Sequence, residues 1–260
     1  MTKEERQSAI LDQLLKQGSV LVSALSDNLQ VSAVTIRKDL TDLERQGRLY
    51  RSHGKAILIN PFTANRSVNE KEKLFPEEKY NIGTAAAQLV MPNDSIVIAS
   101  GTTVTAFAQC LQHNPRVTSS IKVSEALAAN SEIEVIQLGG RLRHSSLSVV
   151  GPDGEQTLAG CTFSKLFIGV DGIDLEYGIT TTDLREAHLN KVMMGVAQKN
   201  IVLADSSKFG RRGFAKICGM DEVDVIITDG NIRPTDRTAL EEMGIEVIVV
   251  NGGNASVTML

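Results

Sequence analysis

The sequence lacks the long apolar segments that characterise membrane proteins. No apolar run reaches the roughly 20 residues that span a bilayer, and the first ten residues contain no apolar signal core. Hydrophobic residues make up 42% of the 260 residues and charged residues 22%, as in a globular protein with a large core. We therefore expect a cytoplasmic protein of one or two domains without a membrane partner.

The sequence also has little that could bind a metal or a nucleotide. His113, His144 and His188 are isolated, without partners at metal-ligand spacing. The cysteines are few and far apart, as is typical of buried thiols in a reducing compartment: Cys110, Cys161 and Cys218. The Gly-x-Gly-x-x-Gly and Walker motifs are absent. We therefore expect no metal and no cofactor.

What the sequence does contain is an amphipathic helical stretch in residues 31–45. Ile36, Leu40 and Leu43 recur at helical spacing and can share one buried face, and Ser32 stands before them in the position of an N-cap. The opposite face carries side chains that can contact phosphates or base edges: Thr35, Arg37, Lys38 and Thr41. This pattern is typical of a DNA-recognition helix.

The sequence on both sides of this helix fits a winged helix-turn-helix. Residues 6–16 carry apolar side chains at helical spacing, and residues 20–31 predict a short second helix followed by a turn. After the third helix, polar and apolar side chains alternate as in a hairpin: Arg48, Arg51, His53 and Lys55 against Leu49, Tyr50 and Ile57. A recognition helix followed by a basic ribbon indicates DNA binding. The alternative, from periodicity alone, is a small helical cap with a solvated charged face.

The net charge of −4 is unusual for a DNA-binding protein, but the distribution of charge agrees with one. Residues 1–57 contain nine Lys or Arg and seven Asp or Glu, whereas the remainder contains 18 and 24. Between Ser32 and Lys55, six residues are basic and three are acidic. Phosphate contact requires a local basic face rather than a basic chain. We therefore predict that DNA meets residues 1–57, which form the DNA-binding domain, and is repelled by the acidic remainder.

Residues 58–76 separate this domain from a different kind of sequence. Pro61 and Pro76 bracket a polar stretch of weak apolar periodicity, which predicts a linker that can contain one helical turn or a longer connecting helix. In residues 77–260, helical segments alternate with short apolar strands, predicted at residues 95–99, 117–123, 134–138, 165–170, 200–204, 223–228 and 246–250. Nearly continuous apolar strands predict a mainly parallel sheet covered by helices on both faces. The expected fold class is therefore α/β, with a small winged helix-turn-helix domain and a larger sheet domain.

Ligands of such sheets bind beyond the carboxyl ends of the strands, a rule that selects four polar loops. Ser100–Thr103 follows a strand and opens a helix, as loops that bind phosphate or carboxylate do. Asp171–Asp174 offers carboxylates that can bind sugar hydroxyls, and residues 177–182 add hydroxyls. Residues 204–209 include Lys208, which can reach an anion. The alternatives are an ordinary N-cap, a capped turn and a solvent-facing lysine.

The first domain carries a motif with many fixed positions. The pattern V-S-x-x-T-I-R-K-D-L-x-x-L-x-x-x-G-x-L-x-R-x-H-G lies within residues 6–56, which resemble the DNA-binding domain of the DeoR family of bacterial transcription regulators. The family usually ends this box with His-Gly-Gly-Ala, where Lys55 makes the wing of this chain more basic. The resemblance implies that Thr35, Arg37 and Lys38 lie on the recognition helix. The predicted DNA-binding residues are Ser32, Thr35, Arg37, Lys38, Thr41, Arg51, His53 and Lys55.

In the second domain, a series of motifs resembles the sensor half of the same family. They are, in order, G-T-T after a strand, G-G-x-L-R, D-G-I-D, G-x-T-T, R-E-A and D-S-S-K-F-G. The resemblance implies a fold similar to that of ribose-5-phosphate isomerase and an effector that is a phosphorylated sugar or a related metabolite. It implies a phosphate on Ser100–Thr103 and a sugar near Asp171, Glu186 and Lys208. The predicted effector-binding residues are Ser100, Gly101, Thr102, Thr103, Asp171, Gly172, Thr181, Glu186 and Lys208.

Three departures from the family pattern bear on the effector. Ala99 stands two places before the glycine of Gly-Thr-Thr, where most members carry an acidic residue, and Ser119 stands where the family has asparagine. Both changes remove groups that could contact sugar hydroxyls. The isomerases place a lysine in the loop that corresponds to residues 178–180, and this chain has none there. Without that lysine, proton transfer between sugar carbons is unsupported.

The resemblance therefore implies a transcription regulator, in this family usually a repressor, of a carbohydrate-metabolism operon. Its expected partners are double-stranded operator DNA and a phosphorylated sugar, and operator symmetry favours a homo-oligomer. No catalytic residue is expected. The alternative is a sugar-phosphate isomerase-like enzyme with an added helical domain. Residues 32–55 argue against that alternative, because an enzyme needs no recognition helix and basic wing.

Overall fold

The chain divides into two units, Met1–Ala64 and Asn65–Leu260. The computed structural model describes residues 1–17, 19–45, 48–52, 54–58, 67–111 and 116–251. Each unit has a hydrophobic core of its own. No helix among the described residues combines the length and the apolar character that crossing a membrane requires.

The first unit combines three helices with a small antiparallel sheet in its described part. Its elements are α1 (Lys3–Gln17), β1 (Ser19–Leu21), α2 (Val22–Leu29), α3 (Ala33–Arg45), β2 (Leu49–Ser52) and β3 (Lys55–Leu58). The hairpin β2–β3 is the predicted one, and β1 adds a third strand by pairing Val20 with Ala56. Strand β1 was not predicted, because three residues are too few to show an alternation of polar and apolar side chains. This strand ties the wing to the helices.

The core of the first unit explains why α3 forms where it does. Ile36, Leu40 and Leu43 are at most 1% exposed, as their spacing predicted. They pack in one cluster with apolar side chains of α1, α2 and the strands: Ile10, Leu14, Val20, Leu25, Leu49 and Ala56. Asp39 is buried as well, and its carboxylate accepts two hydrogen bonds from the guanidinium of Arg6 in α1. The ion pair between Asp39 and Arg6 therefore holds α1 against α3.

The second unit is built on a seven-stranded parallel sheet with the order β15-β14-β12-β9-β4-β5-β6. In chain order its elements are α4 (Val68–Glu72), α5 (Pro76–Gln88), β4 (Ile96–Ile98), α6 (Thr102–Gln109), β5 (Arg116–Thr118), α7 (Ile121–Ala128), β6 (Val135–Gln137), β7 (Arg141–Arg143), β8 (Ser148–Val150), α8 (Pro152–Ala159), β9 (Phe163–Gly169), β10 (Gly172–Asp174), β11 (Gly178–Thr181), α9 (Leu184–Gly195), β12 (Ala197–Leu203), β13 (Ala215–Cys218), β14 (Val225–Asp229), α10 (Pro234–Glu242) and β15 (Glu246–Val250). Because the strands are parallel, their carboxyl ends open at one edge.

Successive residues of the central strands enter two different cores, one on each face of this sheet. In β4, Val97 belongs to one core, whereas Ile96 and Ile98 belong to the other. Helices α5, α6 and α7 cover the second face, where the rings of Phe107 and Phe167 lie 4.2 Å apart between centroids. Helices α8, α9 and α10 cover the first. The predicted parallel sheet with helices on both faces is therefore confirmed.

Several shorter elements were not predicted. These are helices α8 and α10, the hairpin β7–β8, and the antiparallel sheet β10-β11-β13. The strand predicted over residues 117–123 is also too long, since β5 ends at Thr118. Ser120 ends it by capping α7, because its hydroxyl accepts a hydrogen bond from the Val123 N–H at 3.3 Å.

The division between the two units lies inside the predicted linker, residues 58–76. Residues 59–66 lie outside the described part of the chain, but residues 67–76 contain α4 and the start of α5 and belong to the second unit. Val68 is 3% exposed, and its N–H donates to the carbonyl of Ser145 at 2.6 Å. The sequence allowed a helical turn here but could not place it, because one buried valine shows no periodicity.

Candidate functional site

One side of α3 is exposed and bears two cations. Val34 is 73% exposed, and Arg37 and Lys38 are exposed as well. With Thr41 they follow three- and four-residue spacing, so these side chains share the face opposite Ile36. Within the described residues, neither cation makes an ion pair. Both are therefore available to a polyanion.

The hydroxyl groups that were predicted to contact DNA from α3 make hydrogen bonds at this helix. Ser32 caps α3, because its hydroxyl accepts from the Thr35 N–H at 3.2 Å and lies 2.9 Å from the Thr35 hydroxyl. The Thr41 hydroxyl donates to the carbonyl of Arg37 at 2.8 Å. Ser32 and Thr35 thus fix the start of the helix, and their oxygens keep lone pairs for a further donor.

The basic wing is held to the end of α3. The backbone N–H and the Nε of Arg51 both donate to the carboxylate of Glu44, at 3.0 and 2.8 Å. Arg51 thereby positions the hairpin, which sequence reasoning had not anticipated. Lys55 is exposed on β3. The predicted residue His53 lies outside the described residues.

A polar pocket lies at the carboxyl edge of the parallel sheet in the second unit. Predicted residues from the loops after β4, β9 and β12, from β11 and from α9 line it: Ser100, Gly101, Thr102, Thr103, Asp171, Thr181, Glu186 and Lys208. They are joined by Lys71 from α4 and Arg143 from β7. The rule that ligands bind beyond the strand ends has therefore selected side chains that meet in space.

The loop Ser100–Thr103 connects β4 to α6 in the predicted way. Gly101 precedes the helix with φ 136°, a conformation that residues with a Cβ rarely adopt. The first N–H groups of a helix have no partner within it and carry a partial positive charge. The hydroxyl of Ser100 and the side chain of Thr103 are buried beside them. This end of the pocket can therefore bind an anion.

Glu186 is held on one wall of the pocket by three side chains. Its carboxylate accepts hydrogen bonds from the hydroxyls of Ser100 at 2.6 Å and Thr181 at 3.2 Å, and from Arg143 Nη1 at 2.9 Å. Asp183 caps α9 and accepts from the Glu186 N–H at 3.1 Å, which fixes the position of Glu186 in the first helical turn. This wall is preorganised before any ligand binds.

Asp171 forms a second ion pair in the same pocket. Its carboxylate accepts from Lys71 Nζ at 2.6 Å and from the Thr181 hydroxyl at 3.1 Å. Burial alone would raise the pKa of Asp171, but the charges of Lys71 and Lys208, with these hydrogen bonds, hold that pKa well below its usual value. Asp171 is therefore ionised at neutral pH and can accept hydrogen bonds from hydroxyl groups.

Lys208, after β12, differs from the other cations of the pocket. Among the described residues, its ammonium makes no hydrogen bond and no ion pair. Burial is the main reason that the pKa of Lys208 is lowered; Lys71 and Arg211 lower it further, while the nearby carboxylates oppose the shift. Desolvation of an unpaired cation costs free energy that a bound anion would offset.

Comparison with known families shows where a chain with these two sites belongs. Residues 6–62 match the DeoR-like helix-turn-helix domain, and residues 75–230 match the DeoR C terminal sensor domain. The chain belongs to the DeoR family. The resemblance seen in the sequence motifs is thus confirmed over most of the length.

Full-length relatives in the DeoR family are regulators. A proposed transcriptional repressor of the aga operon in Escherichia coli O157:H7 is 39% identical, with 95% of this chain and 93% of that protein covered. The HTH-type transcriptional repressor GlcR of Bacillus subtilis is 33% identical, with 96% and 97% covered. Ribose 5-phosphate isomerase A from Neisseria gonorrhoeae is similar in structure, with a TM-score of 0.39 and 20% identity over 52% of this chain and 55% of that chain.

One predicted effector residue of this DeoR-family sensor lies outside the pocket lining. Gly172 begins β10 and pairs with Thr180 of β11. A Cβ at this position would lie 2.5 Å from the carbonyl oxygen of Arg211 and 2.8 Å from the Thr180 hydroxyl. Close packing of backbone therefore explains this glycine, and its place in the D-G-I-D motif needs no ligand.

Sequence reasoning also missed or left open several residues of the two sites. Lys71 lies in what reads as a linker, 100 positions from its partner Asp171. The G-G-x-L-R motif leaves open whether Arg143 lies over the anion site or in a solvated turn, and in the structure Arg143 is 8% exposed and lines the pocket. Val34 carries no charge and therefore gave no signal. Ala99, at the departure before Gly-Thr-Thr, is fully buried in the core and offers nothing to the pocket.

Proposed function

We propose that this DeoR-family protein represses a carbohydrate-metabolism operon, and that a phosphorylated sugar bound in the sensor pocket controls its affinity for DNA. The names of its relatives support the first part, since they describe repressors, among them one of the aga operon and one of the lactose phosphotransferase system. The observation that carries the second part is the ammonium of Lys208, which has no partner among the described residues and lines one pocket with the loop Ser100–Thr103.

A phosphate group suits this end of the pocket. It would accept hydrogen bonds from the start of α6 and from the hydroxyls of Thr102 and Thr103, since the Ser100 hydroxyl already donates to Glu186, and it would give Lys208 a partner that none of the described residues provides. Charge-assisted hydrogen bonds of this kind are worth roughly 1.5–3 kcal/mol each. A phosphate dianion therefore binds here with a more favourable free energy than a neutral ligand.

The carboxylates of the pocket suit a sugar. Asp171 and Glu186 are acceptors, and the single hydroxyl of Thr181 lies between them, 3.1 Å from Asp171 Oδ2 and 3.2 Å from Glu186 Oε2. Sugar hydroxyls can donate to ionised carboxylates, so these residues would recognise the part of the ligand that carries no charge. We propose Gly172 only as a packing residue next to Asp171.

The first unit would bind the operator through the exposed face of α3 and the wing. Arg37 and Lys38 are placed for phosphates or base edges, and Val34 for the methyl group of a thymine. Lys55 would add a phosphate contact from the wing. The roles proposed for Ser32, Thr35, Thr41, Arg51 and His53 stay predictions, and so does a homo-oligomer on a symmetric operator.

We propose binding without turnover. The loop of residues 178–180, which reads Gly-Ile-Thr, offers no lysine for proton transfer between sugar carbons. Incubation of the protein with ribose 5-phosphate and with hexose 6-phosphates, followed by analysis of the sugars, tests this directly. Conversion at a rate that scales with protein concentration would show an isomerase instead.

Calorimetric titration tests the phosphate site. Ribose 5-phosphate, glucose 6-phosphate and N-acetylglucosamine 6-phosphate would each be compared with the unphosphorylated sugar, in the wild type, in Lys208→Met and in the control Lys199→Met. Lys199 lies in β12, the strand that leads to Lys208, but is outside the pocket. We expect a phosphorylated sugar to bind the wild type and the control with equal affinity. Its affinity for Lys208→Met should be lower by about tenfold or more. Equal binding of a sugar and its phosphate to the wild type would reject the phosphate site.

A further inference from the structure

The effector pocket is closed on one side by a segment that no sequence pattern marked. Residues 67–74, here called the strap, comprise α4 and the turn after it. In the chain, the strap directly follows residues 59–66, through which the first unit is joined to the second. Val68 and Lys71 of the strap line the same pocket as the loop Ser100–Thr103.

The strap is fastened at both of its ends. At its start, Ser67 and Glu70 form a capping box, and the Val68 N–H donates to the carbonyl of Ser145. At its end, the buried ammonium of Lys79 in α5 donates to the carbonyls of Lys71 and Leu74. A helix of five residues is too short to be stable alone, so these contacts define its position.

Between these ends, Lys71 reaches into the pocket. Its Nζ lies 2.6 Å from Asp171 Oδ1, and the two side chains are 25% and 18% exposed. An ammonium has three donors, and Asp171 is the one acceptor found for Nζ in the described part of the chain. Lys71 therefore keeps donors for a second acceptor, and that acceptor would stand among Ser100–Thr103, Asp171 and Lys208.

We propose that Lys71 is an effector-binding residue, and that an anionic effector becomes its second partner or replaces Asp171 as its first. This inference rests on the proposed function and adds to it the regulation of the same site. The effector would then contact the segment of the second unit that leads directly to the first. Occupancy of the pocket would change how the strap is held, which is the differential contact that allosteric coupling requires.

The charges of the pocket support a ligand that pairs with Lys71. Without a ligand, Asp171 is paired with Lys71 and Glu186 with Arg143, while Lys208 has no partner among the described residues. A phosphate that reached Lys208 alone would still stand near two carboxylates and be repelled by them. With Lys71 as a second cation at the phosphate, that repulsion is offset.

Lys73 supplies a matched control within the same segment. It lies two positions after Lys71, is exposed, and is not part of the pocket lining. Lys71→Met and Lys73→Met remove the same charge from the same segment of the full-length chain. A third variant, Lys71→Arg, keeps the charge and tests for partial rescue.

Two measurements would be made on all four proteins. Calorimetry gives the affinity for inorganic phosphate and for the sugar phosphate that binds the wild type best. Hydrogen exchange of the amides of residues 68–74, with and without that sugar phosphate, reports on the strap. We expect Lys71→Met to lose tenfold or more in affinity and Lys73→Met less than twofold, with Lys71→Arg between them. The change in exchange caused by the ligand should disappear in Lys71→Met alone.

The outcomes separate this inference from the proposed function. If a sugar phosphate binds the wild type, and Lys71→Met folds with an unchanged unfolding midpoint but binds as Lys73→Met does, Lys71 is not a ligand and the proposed function stands. Tighter binding to Lys71→Met would also overturn the inference, since Lys71 would then only block the pocket. If no phosphorylated sugar and no phosphate binds the wild type, the proposed function fails and the inference fails with it.

Discussion

Both proposed binding events depend on individual cationic side chains, and the surroundings of these side chains suit them to different partners. Arg37 and Lys38 are exposed and make no ion pair among the described residues. Such side chains bind a polyanion mainly through the counterions that DNA releases. Lys71 and Lys208 lie in a pocket with Asp171, where water is partly excluded. Cations held in that way select an anion by its position and shape rather than by charge alone.

Arg37→Ala should weaken operator binding by roughly 1–3 kcal/mol. The side chain is exposed on the face of α3 opposite Ile36, so its loss should leave the unfolding midpoint unchanged. Fluorescence anisotropy with operator DNA, repeated at several salt concentrations, also distinguishes the two kinds of contact. A phosphate contact lowers the salt dependence by about one ion, whereas a base contact relaxes the preference at one base pair.

Lys16→Ala is the control for this prediction. Lys16 is an exposed cation in the last turn of α1, outside α3 and the wing. Its removal should change operator affinity much less than the removal of Arg37. If both variants bind with the affinity and salt dependence of the wild type, Arg37 does not contact DNA.

The sequence alone was enough to predict binding residues that lie together in one loop. Ser100–Thr103 could be placed at a strand end because a buried strand and a helix flank it. Lys71 could not be placed, because its role arises from contact with Asp171, 100 positions away. Gly172 shows the opposite case. It was predicted to bind the effector because it follows Asp171 in a motif, but close packing against the backbone of Arg211 explains why a glycine is needed there.

Among the helices, the close contact between α5 and α6 depends on one residue. A Cβ at Gly83 would lie 2.7 Å from the backbone nitrogen of Phe107 and 2.8 Å from the backbone carbon of Ala106. Helix propensity alone favours alanine over glycine by about 1 kcal/mol. Because backbone atoms of α6 cannot move aside as a flexible side chain does, the clash should outweigh that preference.

We therefore expect Gly83→Ala to destabilise the protein by about 1–3 kcal/mol. Gly195→Ala in α9 is the matched control, since a Cβ there would meet no atom within 4 Å. That change should be neutral or slightly stabilising. Urea unfolding of both variants decides the matter, and a Gly83→Ala protein as stable as the wild type would show that α6 can shift without loss.

Lys79 links α5 to the strap and makes stability depend on pH. Burial lowers the pKa of Lys79 from 10.5 to about 8, mainly through desolvation. Between these pH values the unfolded chain binds the proton and the folded chain does not, so the stability contributed by this residue rises with pH. The free energy of unfolding of the wild type minus that of Lys79→Met should increase by on the order of 2 kcal/mol from pH 8 to pH 10. A difference that stays flat over this pH range would contradict the lowered pKa of Lys79.

Across the whole molecule, sequence was informative where a pattern repeats over many residues. The alternation of apolar strands and helices predicted the parallel sheet, and the excess of basic residues before residue 57 separated the two kinds of sequence. Patterns of three or four residues were not enough, which is why β1 and the hairpin β7–β8 were missed. The division between the units, at residues 64 and 65, lies inside the predicted linker of residues 58–76, and the strap belongs to the second unit because it packs through contacts distant in sequence.

The last prediction concerns how the two units act together. If operator and sugar phosphate bind different states of the protein, thermodynamic linkage requires each to change the affinity of the other by the same factor, commonly about 5 to 150. Operator affinity would be measured with and without saturating sugar phosphate, and sugar-phosphate affinity with and without saturating operator, at one salt concentration. We expect equal factors in the wild type, and a factor of one for the unphosphorylated sugar, because it brings no anion to Lys208 or Lys71. A sugar phosphate that binds the pocket tightly and leaves operator affinity unchanged would show that occupancy of the pocket does not reach the DNA-binding unit.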